Sequence, residues 1–151
     1  MYEAKLKEMG IDLPEAAKPL AAYIPAVKVG DCVYSSGQIP LVGGELKFKG
    51  KVGAEISEAQ AYEAARVCAV NCLSAIKGVI GSLDQIAQVV KVTGFVNSAP
   101  GFNAQPKVVN GASEFLGEVF GEAGRHARSA VGVSELPVDA AVEVEMIVKL
   151  K

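Results

Sequence analysis

The stretch His126-Ala127-Arg128-Ser129-Ala130-Val131-Gly132-Val133, followed by Leu136-Pro137 and then Val142-Glu143-Val144-Glu145-Met146-Ile147-Val148, decides how this chain is read. Both runs alternate with period two, which sends successive side chains to opposite faces of a strand. On the first run Val131 and Val133 share one face, and Arg128, Ala130 and Gly132 share the other. On the second, Val142, Val144, Met146 and Val148 form the apolar set, opposed by Glu143, Glu145 and Ile147. A hairpin joined through Ser134 to Ala141 would bury both valine sets and present Arg128 beside Glu143 and Glu145 on the far face. Such charges cannot sit in a dry core without partners, so a subunit interface or ligand cleft is expected to receive them.

Working outward, Gly121 to Gly124 releases the chain from a helix expected over Lys107–Phe120, and Asn97 to Pro106 reads as a polar loop. The valine-rich run Gln88–Val96 is a strand. Before it, Ser57 and Gln60 fit a capping box opening a helix that runs to about Ile80 and stops at Gly81. Ala26–Val29 and Cys32–Ser36 read as short strands about the Gly30-Asp31 turn, and Gly43-Gly44 turns the chain into Glu45–Phe48. Met1–Met9 forms a short amphipathic helix, after which Pro14 and Pro19 interrupt regular structure. The order strands, helix, strand, helix, strands predicts an α+β fold with two helices on one face of a mixed sheet.

The 151 residues, 50% hydrophobic and 21% charged, fit a single domain over residues 1–151. A mean hydropathy of +0.29 suggests apolar surface buried between subunits. A net charge of −2 offers phosphate backbones no general attraction, so nucleic acid is not an expected partner. The lysines at 47, 49 and 51 read as a solvated hairpin edge. No apolar run approaches a membrane span, and the charged N-terminus lacks the apolar centre of a signal peptide, so the cytoplasm is the expected location. Cys68 and Cys72 fall on the apolar stripe of a helix with one histidine elsewhere in the chain, so they are expected in the core, with no metal site.

Of the three arginines, Arg66 reads as a helix surface charge, while Arg128 opens a strand where a guanidinium can take a carboxylate bidentately. An Arg128–Glu143 ion pair without a ligand is the plain alternative. Glu143 and Glu145 stand about 7 Å apart on one strand face, where burial and mutual repulsion would raise a pKa and provide an acid or base. A solvated strand face is the alternative there. His126 could bind an anion or shuttle protons, but reads first as a surface residue.

Ser35-Ser36-Gly37-Gln38-Ile39-Pro40, the segment Val96-Asn97 to Asn110-Gly111-Ala112, and Arg128-Ser129 through Leu136-Pro137 to Glu143-Val144-Glu145 together carry a resemblance. They resemble the reactive-intermediate deaminase family, also called Rid or YjgF-like and often labelled endoribonuclease L-PSP. The likeness runs from about Leu13 onward and leans to a longer-chain subgroup, through Ser98–Val109 and Gly124-Arg125-His126-Ala127-Arg128. The resemblance implies a chorismate-mutase-like fold, a homotrimer with clefts between subunits, and hydrolysis of enamines and imines to 2-keto acids and ammonia without a cofactor. It assigns Arg128 to the carboxylate of a small metabolite and Glu143 to the attacking water, with Tyr23, Ser36, Gly37 and Asn110 lining the cleft. Where many members carry a cysteine, this chain has Ala130, which removes thiol chemistry and enlarges the cleft for a bulkier imino acid. Competing readings are a non-catalytic binder of 2-keto acids and a ribonuclease. One histidine, few arginines and net negative charge speak against the ribonuclease. A chorismate mutase would want several arginines together, for which Arg125 is the only further candidate.

Overall fold

Ser57 opens the longest helix as its side chain allows: the hydroxyl accepts from the Gln60 N–H (3.1 Å), and the Gln60 carbonyl Oε1 accepts from the Ser57 N–H (2.9 Å). That reciprocal cap contributes about 1 kcal/mol. In the computed structural model, which describes residues 1–16 and 21–151, this helix is α2, Glu58–Ile80, ended by Gly81 at φ 82°. Pro19, expected to break regular structure, lies outside the described residues.

The chain order is α1 (Tyr2–Glu8), β1 (Ala26–Val29), β2 (Cys32–Ser35), β3 (Leu41–Val42), β4 (Glu45–Leu46), α2, β5 (Ile86–Asn97), α3 (Gln105–Phe120), β6 (Ala127–Val133) and β7 (Val142–Leu150). Helix α3 starts two residues before the expected Lys107, because Pro106 occupies its first turn, where a missing N–H costs nothing. Five strands form one mixed sheet in the order β1-β2-β7-β5-β6, and β3 with β4 form a small ribbon. The expected α+β class is the observed one, and the short N-terminal helix expected over Met1–Met9 forms as α1.

Packing follows the apolar stripes. Val142, Val144, Met146 and Val148 are buried on one face of β7. Cys68 and Cys72 on α2 direct their thiols at the Val142 and Val144 carbonyls (3.6 and 3.2 Å). Burial raises both thiol pKa values, that of Cys72 to about 12, as expected of inert core cysteines. Gly111 lets α3 touch the α2 backbone at Tyr62, where a side chain would collide with the Tyr62 carbonyl.

The expected closing hairpin does not form. Strand β6 pairs parallel with β5, and β7 pairs antiparallel with both β5 and β2, so β5 stands between the two supposed hairpin strands. The reason is the crossover: α3 lies across the sheet after β5 and returns the chain parallel to it, which places β6 on the outer edge. The face assignment changes with it. Arg128 aligns with Val92, itself aligned with buried Met146, so Arg128 sits on the helix side of the sheet. Glu143 aligns with Phe95 and Glu145 with Thr93, on the side without helices. Val131, expected in the core, also lies on that open side and is 43% exposed.

Candidate functional site

The residues singled out from sequence gather into two groups on opposite faces of the sheet. Arg128, Asn110 and Ala130 make the first. Asn110, on α3, accepts from Arg128 Nη1 at 2.8 Å, and Ser113, one turn further on, accepts from the same nitrogen at 3.1 Å. Both Nη1 protons are thereby engaged against α3, which leaves the Nε and Nη2 edge, the fork that matches a carboxylate. Arg128 forms no ion pair among the described residues, so the expected alternative of an internal Arg128–Glu143 pair is not what the chain builds. Ala130 follows on the same face of β6, packed against the core.

Sequence reasoning missed Ser113, although its spacing of three from Asn110 places both on one helix face. His126, expected at the surface, is half-buried. Its Nδ1 lies 2.6 Å from the Gly124 carbonyl, which can only accept, so Nδ1 carries the proton. Nε2, 2.9 Å from Ser113 Oγ, then accepts the hydroxyl proton and turns the Ser113 lone pairs toward Arg128. Burial pushes the His126 pKa down, aided by the Arg128 charge and opposed by the Gly124 bond. The neutral ring thus completes a chain from Arg128 through Ser113 to Gly124.

The second group is Glu143, Gly37, Ser36 and Tyr23. Gln38 and Val144 exchange two backbone hydrogen bonds of 2.8 and 3.0 Å, which carry Gly37 onto the Glu143 carboxyl. A Cβ at Gly37 would overlap Glu143 Oε1 and stand 2.9 Å from Cδ, so only glycine fits the carboxylate as it lies. Ser36 donates to the Ile24 carbonyl at 2.6 Å and its N–H to the Pro25 carbonyl at 2.7 Å, which ties the segment before β1, with exposed Tyr23, to the same end of the sheet. Glu143 is half-buried, and its pKa is raised, first by burial and then by the Glu145 carboxylate. This is the environment of a proton-transfer group.

The two groups do not meet within one chain. Two strand spacings and three residues of rise separate Glu143 from Arg128 by about 14 Å, on opposite faces. Nor are the lysines at 47, 49 and 51 simply a solvated edge. Lys51 Nζ donates to buried Asn97 Oδ1 (2.9 Å) and to the Ser134 carbonyl, and pairs with Glu135 (3.6 Å). Asn97 in turn donates to Asp139 Oδ1 and the Ala140 carbonyl, both at 3.1 Å, which fastens the β6–β7 connection to the end of β5. Among the described residues no cluster of histidine, cysteine and carboxylates could hold a metal ion, and no helix is long and apolar enough to cross a membrane.

The family model described as "YjgF/chorismate mutase-like, putative endoribonuclease" matches residues 3–150. The chain belongs to the YjgF/RutC family. It is 45% identical to Protein TCP17 of Trypanosoma cruzi, over 97% of this chain and 92% of that one. It is 34% identical to the 2-iminobutanoate/2-iminopropanoate deaminase of Dermatophagoides farinae, over 93% of this chain and 95% of that one. The crystal structure of Atu1372 from Agrobacterium tumefaciens, a protein of unknown function, superposes with a TM-score of 0.92 at 44% identity, covering 99% of this chain and 92% of that one. The E. coli TdcF structure with bound serine superposes with a TM-score of 0.66 at 25% identity, covering 91% and 94%.

Proposed function

We propose that this chain hydrolyses small 2-imino and enamine acids to 2-keto acids and ammonia, in clefts between the subunits of a homotrimer. The observation that carries the reading is the division of the site: an arginine with its carboxylate-binding edge open on one face, and a proton-transfer carboxylate on the other. Each group supplies what the other lacks, and a neighbouring subunit is the means of joining them. The open sheet face favours such a neighbour, since Val27, Tyr34 and Val131 stand exposed on it. The deaminase relative supports the chemistry, and the serine held by TdcF supports a small carboxylate-bearing ligand.

In this mechanism Arg128 of one subunit takes the substrate carboxylate through Nε and Nη2, held in aim by Asn110 and Ser113. Glu143 of the neighbour accepts a proton from a water as its oxygen adds to C2. The protonated carboxyl then returns that proton to the nitrogen. The C–N bond breaks with the electron pair leaving on nitrogen, the hydroxyl loses its proton to the departing ammonia, and the C=O double bond forms. Water and proton transfer are the whole requirement.

The test uses two variants that each lose half of every site. Imino acid is generated in situ by an amino-acid oxidase, and keto-acid release is followed for Arg128→Ala, Glu143→Gln, and oligomers reassembled from an equal mixture of the two. Each variant alone should be inactive. In the mixture, a cleft between an intact Arg128 and an intact Glu143 arises at about one interface in four by random assortment, so about a quarter of the original activity should return. A silent mixture would place both residues in one subunit and refute the divided site, and an active Arg128→Ala would refute the anchor. Ala130 at the position of the family's cysteine favours one second reading, a binder of 2-keto acids. That reading requires ligand-dependent melting shifts with no turnover.

A further inference from the structure

Arg128 does not stand alone at its end of β6. Asn110, Ser113, Gly117, Gly124, Arg125, His126 and Arg128 line an open pocket of about 370 Å³, and no carboxylate residue is among the described residues that line it. Two arginines therefore border one polar basin, and Asn110 and Ser113 in its lining turn their hydrogen-bonding groups toward Arg128. Arg125 is 80% exposed, and its one ion pair, to Glu122 three residues before it, is long at 3.5 Å and equally exposed. A pair of that kind holds its arginine weakly and yields to a better-placed anion. His126 adds no charge to the basin, because Nδ1 gives its proton to the Gly124 carbonyl and Nε2 accepts from Ser113, which is the neutral ring.

Resting on the function proposed above, we infer that the preferred substrates are 2-imino diacids, with the carboxylate next to the imine on Arg128 and the distal carboxylate on Arg125. The two Cα atoms are three residues and at most about 10 Å apart, and both residues line the same basin, so a diacid of four or five carbons held on Arg128 comes within reach of the long, exposed Arg125 side chain. Arg125 is then a specificity residue: it adds attraction for the second charge and does nothing for a substrate that lacks one.

The experiment compares 2-iminoglutarate, made by an L-glutamate oxidase, with 2-iminobutanoate, made from 2-aminobutanoate by an amino-acid oxidase. Wild type, Arg125→Ala, Arg125→Lys and Arg128→Ala are assayed on both. Arg125→Ala should lower kcat/KM for the diacid by about tenfold or more, the weight of one charge-assisted contact, and leave the monoacid within about twofold. Arg125→Lys should recover part of the loss. Calorimetric binding of 2-oxoglutarate against 2-oxobutanoate gives a readout independent of turnover, and the diacid should lose its advantage in Arg125→Ala. Equal effects on both ligands, or none on either, would overturn the inference while the hydrolase reading stands. Wild type that hydrolyses neither imine would refute the hydrolase, with the binding comparison still deciding the role of Arg125.

Discussion

Gly37→Ala isolates the Glu143 carboxylate better than removing the carboxylate itself. The added Cβ would overlap Oε1 and lie 2.9 Å from Cδ and 3.2 Å from Cγ. Carbon atoms in contact prefer about 3.5–4.0 Å, so the carboxyl carbon must retreat by about 0.6 Å and the oxygen by about 1 Å. Gly37 has no left-handed backbone to defend, so alanine there is unstrained. The collision falls on the flexible end of a half-exposed side chain, which can swing aside. Reduced unfolded-state freedom offsets much of the cost, and net stability should stay within about 1 kcal/mol, or about 2–4 °C in Tm for a domain of this size. A catalytic group misplaced by about 1 Å loses about 100-fold in rate, close to 2.7 kcal/mol of transition-state stabilisation. Because the Arg128 anchor is untouched, KM should hardly move and kcat should carry the loss. Steady-state kinetics on 2-iminobutanoate beside a thermal melt make the measurement. A Gly37→Ala protein with near-normal kcat would show that the position of the Glu143 carboxyl does not matter, and the assignment of Glu143 to the water would fall.

Glu143→Gln should also change stability with pH. The folded pKa is raised by burial and by Glu145, so the stability this group contributes is complete below its ordinary value of 4.5 and is lost as pH rises through the folded value. The glutamine variant should therefore melt higher than wild type at neutral pH and the difference should shrink toward pH 4; parallel melting curves across that range would contradict the burial argument. Asn97→Ala should cost about 3 kcal/mol, since it leaves the buried Ala140 carbonyl without its donor and removes the amide that links Asp139 and Lys51 to the end of β5. That is a Tm fall of about 6–12 °C by calorimetry, and a fall under about 3 °C would mean the network is not what fastens the β6–β7 connection.

Local signals carried most of the fold. Ser57 with Gln60, Gly81, the valines of β5 and the stripe Ala61-Ala65-Cys68-Cys72 each report on neighbours within a turn or a strand, and each formed the expected element. Strand pairing is another matter, because it is settled by what lies between the strands. The β6–β7 connection contains Val138 and Asp139 at positive φ (53° and 60°), which takes it over the end of β5 to the pinning Asn97, where a tight hairpin turn would have been needed. Nothing in the alternation of either strand announces that detour. Asn97 and Lys51, 46 residues apart, signal it only once they are seen bonded.

The inverted face of β6 follows from the same long-range cause. On β7 four large apolar side chains compete with two glutamates, and burial can go only one way. On β6 the choice lies between Val131 with Val133 and Ala130 with Gly132, and ranking by hydrophobic size selects the valines. Helix α3 reverses the ranking because it rides close to the sheet: Val109 presses onto Gly94, the β5 partner of Ala130, and a Cβ at Gly132 would stand 2.8 Å from the Gln105 side chain. Close approach demands small residues beneath the helix, so alanine and glycine turn inward and the valines turn out. Arg128 goes with the small residues, to the side where Asn110 and Ser113 can hold it. Val131 is left in the open beside Phe95, with Glu143 one strand further on, and burying it falls to the neighbouring subunit of the proposed trimer. The packing that separates arginine from glutamate in one chain is thus the packing that leaves apolar surface for a second.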